Sequence, residues 1–125
     1  MNGIDYIADT NAIIYLLSGN LCMKPYISNR LGISIISEME ILSFSSMTDA
    51  DEKCIRSFIN DCIVLELSEK IKNHAIMLRR ICKIKLPDAI VAATAIAYSL
   101  PLITADKSFR QISGLNLILI EPVLL

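Results

Sequence analysis

The sequence has little of the chemistry that builds zinc sites or disulfide frameworks. It has one histidine, His74, no tryptophan, and four cysteines that form no C-x-x-C pair. Zinc sites and disulfide scaffolds both need clustered or regularly spaced ligands, so neither is predicted. The cysteines are expected to stay reduced and to pack as small apolar side chains; they are Cys22, Cys54, Cys62 and Cys82.

Signals for export, membrane insertion and nucleotide cofactors are also missing. Asp5 and Asp9 stand where a signal peptide carries basic residues, so we expect a cytoplasmic protein. The apolar run 89–105 is interrupted by Pro101 and falls short of the ~20 residues of a membrane span. None of the four glycines lies in a G-x-x-x-x-G-K or G-x-G-x-x-G pattern, so no nucleotide cofactor is expected.

The charges nearly cancel, with twelve basic and thirteen acidic residues and a net charge of −1. Contact with nucleic acid would therefore depend on a local patch. Six basic residues lie between residues 70 and 85, and a solvated helix face explains most of them. Lys107 and Arg110 follow Asp106 closely, and we favour these two as contacts to the phosphates of a nucleic acid.

Apolar residues make up 54% of the chain, and the mean hydropathy is +0.53. This is high for a monomer that exposes no apolar patch, so we expect a homodimer or a bound partner. A length of 125 residues suits a single domain spanning residues 1–125.

Short apolar runs alternate with helical patterns along the chain. Strands are predicted at 4–8, 32–36, 62–67, 101–104 and 116–120. Helices are predicted at 11–17, 38–44 after a Ser37 cap, 48–59, 68–83 and 87–99, with a short helical turn at 107–112. Residues 20–29 are read as a polar linker. Alternation of this kind predicts a three-layer α/β/α sandwich with a mostly parallel five-stranded sheet.

Four acidic residues follow strands or open helices in this scheme: Asp9, Glu40, Asp88 and Asp106. Ligands bind outside the carboxyl ends of parallel strands, so the four can converge on one rim. Carboxylates about 4 Å apart repel by roughly 4 kcal/mol per pair at an effective dielectric near 20, and a divalent cation removes that cost. Oxygen ligands suit Mg²⁺ or Mn²⁺, and such ions assist phosphodiester cleavage.

Each acid also has an ordinary structural explanation. Ser37-x-x-Glu40 has the spacing of a capping box, and taken alone Glu40 fits that role better than catalysis. Asp88 after Pro87 can complement a helix dipole. Asp9 and Asp106 can be turn residues, although for Asp9 the functional reading is favoured. The case for a site rests on the four together.

Four segments resemble the motifs of PIN domains, particularly stand-alone toxins of VapC type from type II toxin–antitoxin systems. They are YIADTNAII at 6–14, ISIISEMEIL at 33–42, LPDAIVAATA at 86–95 and LITADKSF at 102–109. They occur in the family's order and span nearly the whole chain. In the second motif the matching acid is Glu40 rather than Glu38.

The resemblance implies a metal-dependent endoribonuclease that is usually dimeric and often held inactive by a small antitoxin protein. It assigns metal binding and catalysis to the four acids and supporting roles to Asn11 and Thr104. Ser108 departs from the pattern, because many relatives carry another acid near that position. The RNA that is cut, and the number of metal ions, do not follow from the motifs.

Three alternatives stay open from the sequence. The chain can be a non-catalytic PIN-like module that binds RNA or protein, or an RNA-processing nuclease outside a toxin–antitoxin system. A phosphoryl-transfer domain also collects acids at strand ends. Asn11 stands where a phosphatase of the haloacid type would carry a second acid, two residues after Asp9.

Overall fold

The computed structural model of the protein describes residues 3–124, in which strands and helices alternate. The strands are β1 (Tyr6–Ala8), β2 (Leu31–Ser34), β3 (Ile63–Leu65), β4 (Leu102–Thr104) and β5 (Leu117–Leu119). The α-helices are α1 (Thr10–Leu17), α2 (Ile35–Ile41), α3 (Asp49–Asp61), α4 (Glu69–Ile81) and α5 (Leu86–Ala97). Two 3-10 helices, Leu21–Tyr26 and Lys107–Gln111, complete the order.

The five strands form one sheet in the order β3-β2-β1-β4-β5. All four strand pairings are parallel, and Ile7 lies between Gly32 of β2 and Leu102 of β4. The chain moves outward in one direction from β1 to β3 and in the other from β4 to β5, so the strand order reverses between β1 and β4. This is the topological switch point at which α/β sheets bind ligands.

Two apolar clusters cover opposite faces of the sheet. Adjacent strand residues point to opposite faces, so Ile7 and Leu102 join the cluster that contains α4 and α5. Ala8 and Ile103 join the other cluster, with residues of α1, α2 and α3. The predicted three-layer sandwich around a parallel five-stranded sheet is therefore confirmed.

Local signals set most helix starts. The Thr48 hydroxyl and the Asp51 carboxylate form a reciprocal capping box at the start of α3, and the Ser68 hydroxyl caps α4 by accepting from the Ile71 amide. Pro87 occupies the first turn of α5, where its missing N–H has no helical partner to lose. The run Ala89–Ala95 of α5 is buried on every side.

The predicted start of α2 is wrong. The helix begins three residues earlier, because the Ser34 hydroxyl caps it by accepting from the Ile36 amide at 3.1 Å. Ser37 lies inside the helix and caps nothing, so the Ser37-x-x-Glu40 capping box does not exist. Glu40 lies in the last turn of α2 rather than its first, and the helix ends at Ile41, before the predicted residue 44.

The other differences are smaller. The predicted linker 20–29 contains the 3-10 helix Leu21–Tyr26, which Asn20 caps by accepting from the Cys22 amide. The strands are shorter than predicted at one or both ends, and α3 continues to Asp61 rather than residue 59. Across residues 3–124, no helix is long and apolar enough to cross a membrane.

Candidate active site

Asp9 and Asp106 lie at the switch point of the sheet. Asp9 directly follows β1, and its amide donates to the Ile103 carbonyl of β4 at 3.0 Å. Its Oδ1 accepts from the Thr10 amide at 2.9 Å and caps α1. Asp106 comes two residues after β4 and caps the second 3-10 helix by accepting from the Ser108 amide at 2.9 Å. Both acids are thus fixed to the carboxyl ends of the two central strands.

A hydrogen-bond network holds the Asp9 carboxylate in place. The buried Thr104 hydroxyl donates to Asp9 Oδ2 at 2.8 Å, and Asn11 Nδ2 donates to the same oxygen at 3.2 Å. Asn11 Nδ2 also donates to Thr104 Oγ1 at 3.0 Å, while Asn11 Oδ1 accepts from the Ala105 amide at 2.9 Å. Thr104 Oγ1 in turn accepts from the Asp106 amide at 3.1 Å. Asn11 and Thr104 therefore link Asp9 to the loop that carries Asp106.

Glu40 reaches this network through a residue that the motifs did not single out. The Thr10 hydroxyl donates to Glu40 Oε1 at 2.6 Å, while the Thr10 amide binds Asp9. One residue at the start of α1 therefore contacts two of the four acids. Its position directly after Asp9 was the only sequence signal for this role.

Asp88 lies within electrostatic reach of each of the other three acids, and Glu40 also acts on Asp9. Burial raises the pKa of Asp9 from its ordinary value of 3.8 to about 6, and the charges of Asp88 and Glu40 add to that rise against the hydrogen bonds from Thr104 and Thr10. Burial also raises the pKa of Asp88, with further contributions from Asp106 and Glu40 that Lys85 opposes. The structure thus brings together the four predicted site residues, although they come from distant parts of the chain.

All four acids offer oxygen atoms, which are the ligands that Mg²⁺ and Mn²⁺ prefer. Burial, with a smaller contribution from neighbouring acids, raises the pKa of Asp9 and of Asp88. Within residues 3–124, no three His, Cys, Asp or Glu side chains are close enough to enclose a metal ion by themselves. Mg²⁺ is commonly held by one or two carboxylates with water completing its octahedron, and it does not require such a cage.

The surroundings of the acids are open. Lys107 and Arg110 are exposed on the second 3-10 helix, next to Asp106. A cavity of about 480 Å³ adjoins the site on the α2 side and is lined by Thr10, Ile36, Met39, Glu40, Ser43, Phe44 and Pro87. An extended polymer can therefore approach the carboxylates without entering a closed pocket.

The protein is a parallel three-layer sandwich with acids near its switch point. It therefore has the form of an α/β domain that binds its ligand outside the carboxyl ends of the strands. The family model of the PIN domain matches residues 6–115. The chain belongs to the PIN domain family. A comparison with curated proteins gives no match.

Solved structures of toxin–antitoxin proteins share the fold over nearly the whole chain. A chain of a toxin–antitoxin complex from Klebsiella pneumoniae is 31% identical, with a TM-score of 0.79, over 91% of this chain and 96% of that one. A chain of VapBC-1 from nontypeable Haemophilus influenzae is 25% identical, with a TM-score of 0.78, over 93% and 98%. A chain of VapBC2 from Rickettsia felis, bound to a promoter DNA fragment, is 22% identical, with a TM-score of 0.79. The last likeness concerns the fold alone.

Proposed function

We propose that this protein is a Mg²⁺- or Mn²⁺-dependent endoribonuclease and the toxin of a cytoplasmic toxin–antitoxin pair. The observation that carries the proposal is the set of four acids near the switch point: the charges of Asp88 and Glu40 act on Asp9, and those of Asp106 and Glu40 act on Asp88. Membership of the PIN family and the similarity to toxin–antitoxin structures support it.

The chain's own residues would divide the work at the site. Asp9, Glu40, Asp88 and Asp106 would hold the metal ion, and Thr104, Asn11 and Thr10 would orient the carboxylates through the hydrogen bonds already described. When bound, the ion would neutralise charge on the phosphodiester and lower the pKa of a water molecule. The fixed carboxylates would keep the attacking water and the phosphate in register.

The proposed partners account for the apolar surface. Ile14, Met39 and Phe44 are exposed near the site, and Met77 and Ile81 are exposed on α4. Contiguous exposed apolar side chains mark protein contacts. We propose that a small antitoxin protein and a second copy of the chain use such surfaces, as the antitoxin complexes among the structural neighbours suggest.

Two alternatives predict different behaviour. A non-catalytic PIN-like module would bind RNA or protein without cutting RNA. An RNA-processing nuclease would cut RNA but would not arrest growth when expressed. The family match speaks against a phosphoryl-transfer domain, because the PIN domain model covers residues 6–115.

The test is cleavage of a single-stranded RNA of mixed sequence by the purified protein, with Mg²⁺ or Mn²⁺ and with EDTA. We expect metal-dependent cutting that Asp88→Asn abolishes and that Asp49→Asn, a change at an exposed acid of α3, preserves. Growth arrest on expression would separate a toxin from a processing enzyme. Retained cutting by the wild type in EDTA would contradict the proposal, and so would cutting by Asp88→Asn with metal present at the rate of the wild type.

A further inference from the structure

We propose that Lys83, Lys85, Lys107 and Arg110 form one phosphate-binding surface for the RNA backbone, here called the basic strip, and that Gln111 holds its two halves together. The inference rests on the proposed ribonuclease function. It extends the contacts expected at Lys107 and Arg110 to a segment more than twenty residues earlier in the chain, between α4 and α5.

Gln111 joins the two segments through its side-chain amide. Its Nε2 donates to the Lys83 carbonyl at 3.0 Å, and its Oε1 accepts from the Lys83 amide at 3.2 Å. The same Nε2 donates to the Ser108 carbonyl at 3.0 Å, inside the 3-10 helix Lys107–Gln111. The amide thus pairs with Lys83 as a neighbouring strand would, and it fixes the basic residues of both segments on one region of the surface.

The other end of the strip adjoins the carboxylates. Lys85 is the N-cap residue of α5, and Asp88 lies in the first turn of the same helix. Asp106 caps the second 3-10 helix, which begins at Lys107 and contains Arg110. Each half of the strip therefore adjoins an acid of the candidate site.

The basic side chains of the strip form no salt bridge within residues 3–124. All four basic residues are exposed. The ion pairs found within residues 3–124 are Arg56–Glu52 and Lys72–Glu69, so no member of the strip belongs to one in that part of the chain. Like charges held together repel, and a polyanion that displaces their counterions relieves the repulsion.

The acidic site gives this arrangement a use. Four carboxylates repel a phosphodiester, and a net charge of −1 provides no overall attraction. Positive charge beside the acids can hold the flanking phosphates while the scissile one faces the metal ligands. A single-stranded RNA backbone is therefore the ligand whose chemistry matches the strip.

Fluorescence anisotropy of a labelled single-stranded RNA of mixed sequence, titrated with the intact protein in EDTA at several salt concentrations, tests this. Two double variants are compared with the wild type: Lys83→Gln with Lys85→Gln, and Lys107→Gln with Arg110→Gln. Each should make the fall of log affinity with log salt less steep by about 1.4, because each phosphate contact contributes about 0.7 for single strands. The control is Lys24→Gln with Arg30→Gln. It neutralises two exposed residues, one in the first 3-10 helix and one directly before β2, and should leave the slope unchanged.

Gln111→Ala tests the arrangement of the basic residues separately from their charge. It removes the side-chain hydrogen bonds to Lys83 and leaves the net charge unchanged. We expect it to weaken RNA binding while circular dichroism shows an intact fold. Strip variants that behave like the control, or no RNA binding by the wild type at low salt, would overturn the inference. Strip variants that keep RNA binding but lose binding to poly-glutamate would also overturn the inference, and would indicate an acidic polypeptide as the ligand of the strip. Metal-dependent cleavage is measured separately, so the ribonuclease proposal can survive either result.

Discussion

Thr10 shows how a residue with no motif of its own can organise a site. Its amide and its hydroxyl bind two different acids, Asp9 and Glu40. Glu40 is exposed, and a free glutamate side chain has many rotamers to lose when it binds an ion. The hydrogen bond from the Thr10 hydroxyl to Glu40, at 2.6 Å, already restricts these rotamers, so less side-chain entropy is lost when an ion binds. We therefore place Thr10 among the residues that position the metal ligands.

Replacing Thr10 tests that role. Thr10→Val keeps the shape of the side chain and removes the hydroxyl, so we expect Mn²⁺ affinity to fall by about tenfold, the lower end for residues that orient metal ligands. Thr10→Ser keeps the hydroxyl and should restore the affinity. Isothermal titration calorimetry with Mn²⁺ measures both variants. Equal affinity in the wild type and Thr10→Val would remove Thr10 from the site.

The sequence located the site residues unevenly. Local signals are enough to predict the positions of three acids: Asp9 and Asp106 follow predicted strands, and Asp88 follows Pro87 at a predicted helix start. The Thr10–Glu40 contact joins residues 30 positions apart, and no spacing rule specifies it. Asn11 and Thr104 are assigned supporting roles only through the family resemblance, because the contacts of Thr104 with Asp9 and with Asn11 cross from β4 to the start of α1.

At the scale of the element, α2 illustrates a limit of local reasoning. Ser34 and Ser37 are both suitable caps, and the apolar residues after Ser34 suit a strand as well as a helix. Packing decides between them. Ile36 lies against one core cluster and Ile41 belongs to the other, and the helix Ile35–Ile41 makes both contacts. The alternation of strands and helices was predictable because each is encoded locally, whereas this boundary depends on contacts across the sheet.

The two serines of α2 should respond oppositely to alanine. Ser34→Ala removes a cap and should lower the free energy of unfolding by about 1 kcal/mol. The Ser37 hydroxyl is buried with no hydrogen-bond partner among residues 3–124, so Ser37→Ala should be neutral or stabilise the fold by about 1 kcal/mol. Urea denaturation compares the two. No loss in Ser34→Ala would contradict the cap, and a loss in Ser37→Ala would contradict the unpartnered hydroxyl.

At the scale of the whole molecule, the burial of the Asp9 carboxylate, with the charges of Asp88 and Glu40 nearby, lowers the stability of the fold when Asp9 is ionised. Asp9 is buried, and its pKa of about 6 exceeds the ordinary 3.8. The folded state therefore keeps a proton that the unfolded chain loses as the pH rises between those values. The free energy of unfolding falls across that window, by at most about 3 kcal/mol. A bound cation would reverse the loss, because it stabilises the ionised carboxylates.

The strand order of the parallel sheet explains why acids from distant parts of the chain lie at one edge. Strand order brings β1 and β4 together, and with them Asp9 and Asp106. Helices α2 and α5 then deliver Glu40 and Asp88 to the same edge. The fold class was predictable from alternation and the family resemblance, while the mutual electrostatic effects of the acids required the structure.

The most direct test of this account is the melting temperature of the wild type and of Asp9→Asn between pH 4 and pH 8, with and without Mn²⁺. Without metal, we predict that the wild type loses stability relative to Asp9→Asn as the pH rises through about 4 to 6. Mn²⁺ at neutral pH should then raise the melting temperature of the wild type and have little effect on Asp9→Asn; Asp49→Asn should behave like the wild type. Parallel pH curves for the wild type and Asp9→Asn, or an equal response of the two to Mn²⁺, would contradict a metal centre built on mutually repelling carboxylates.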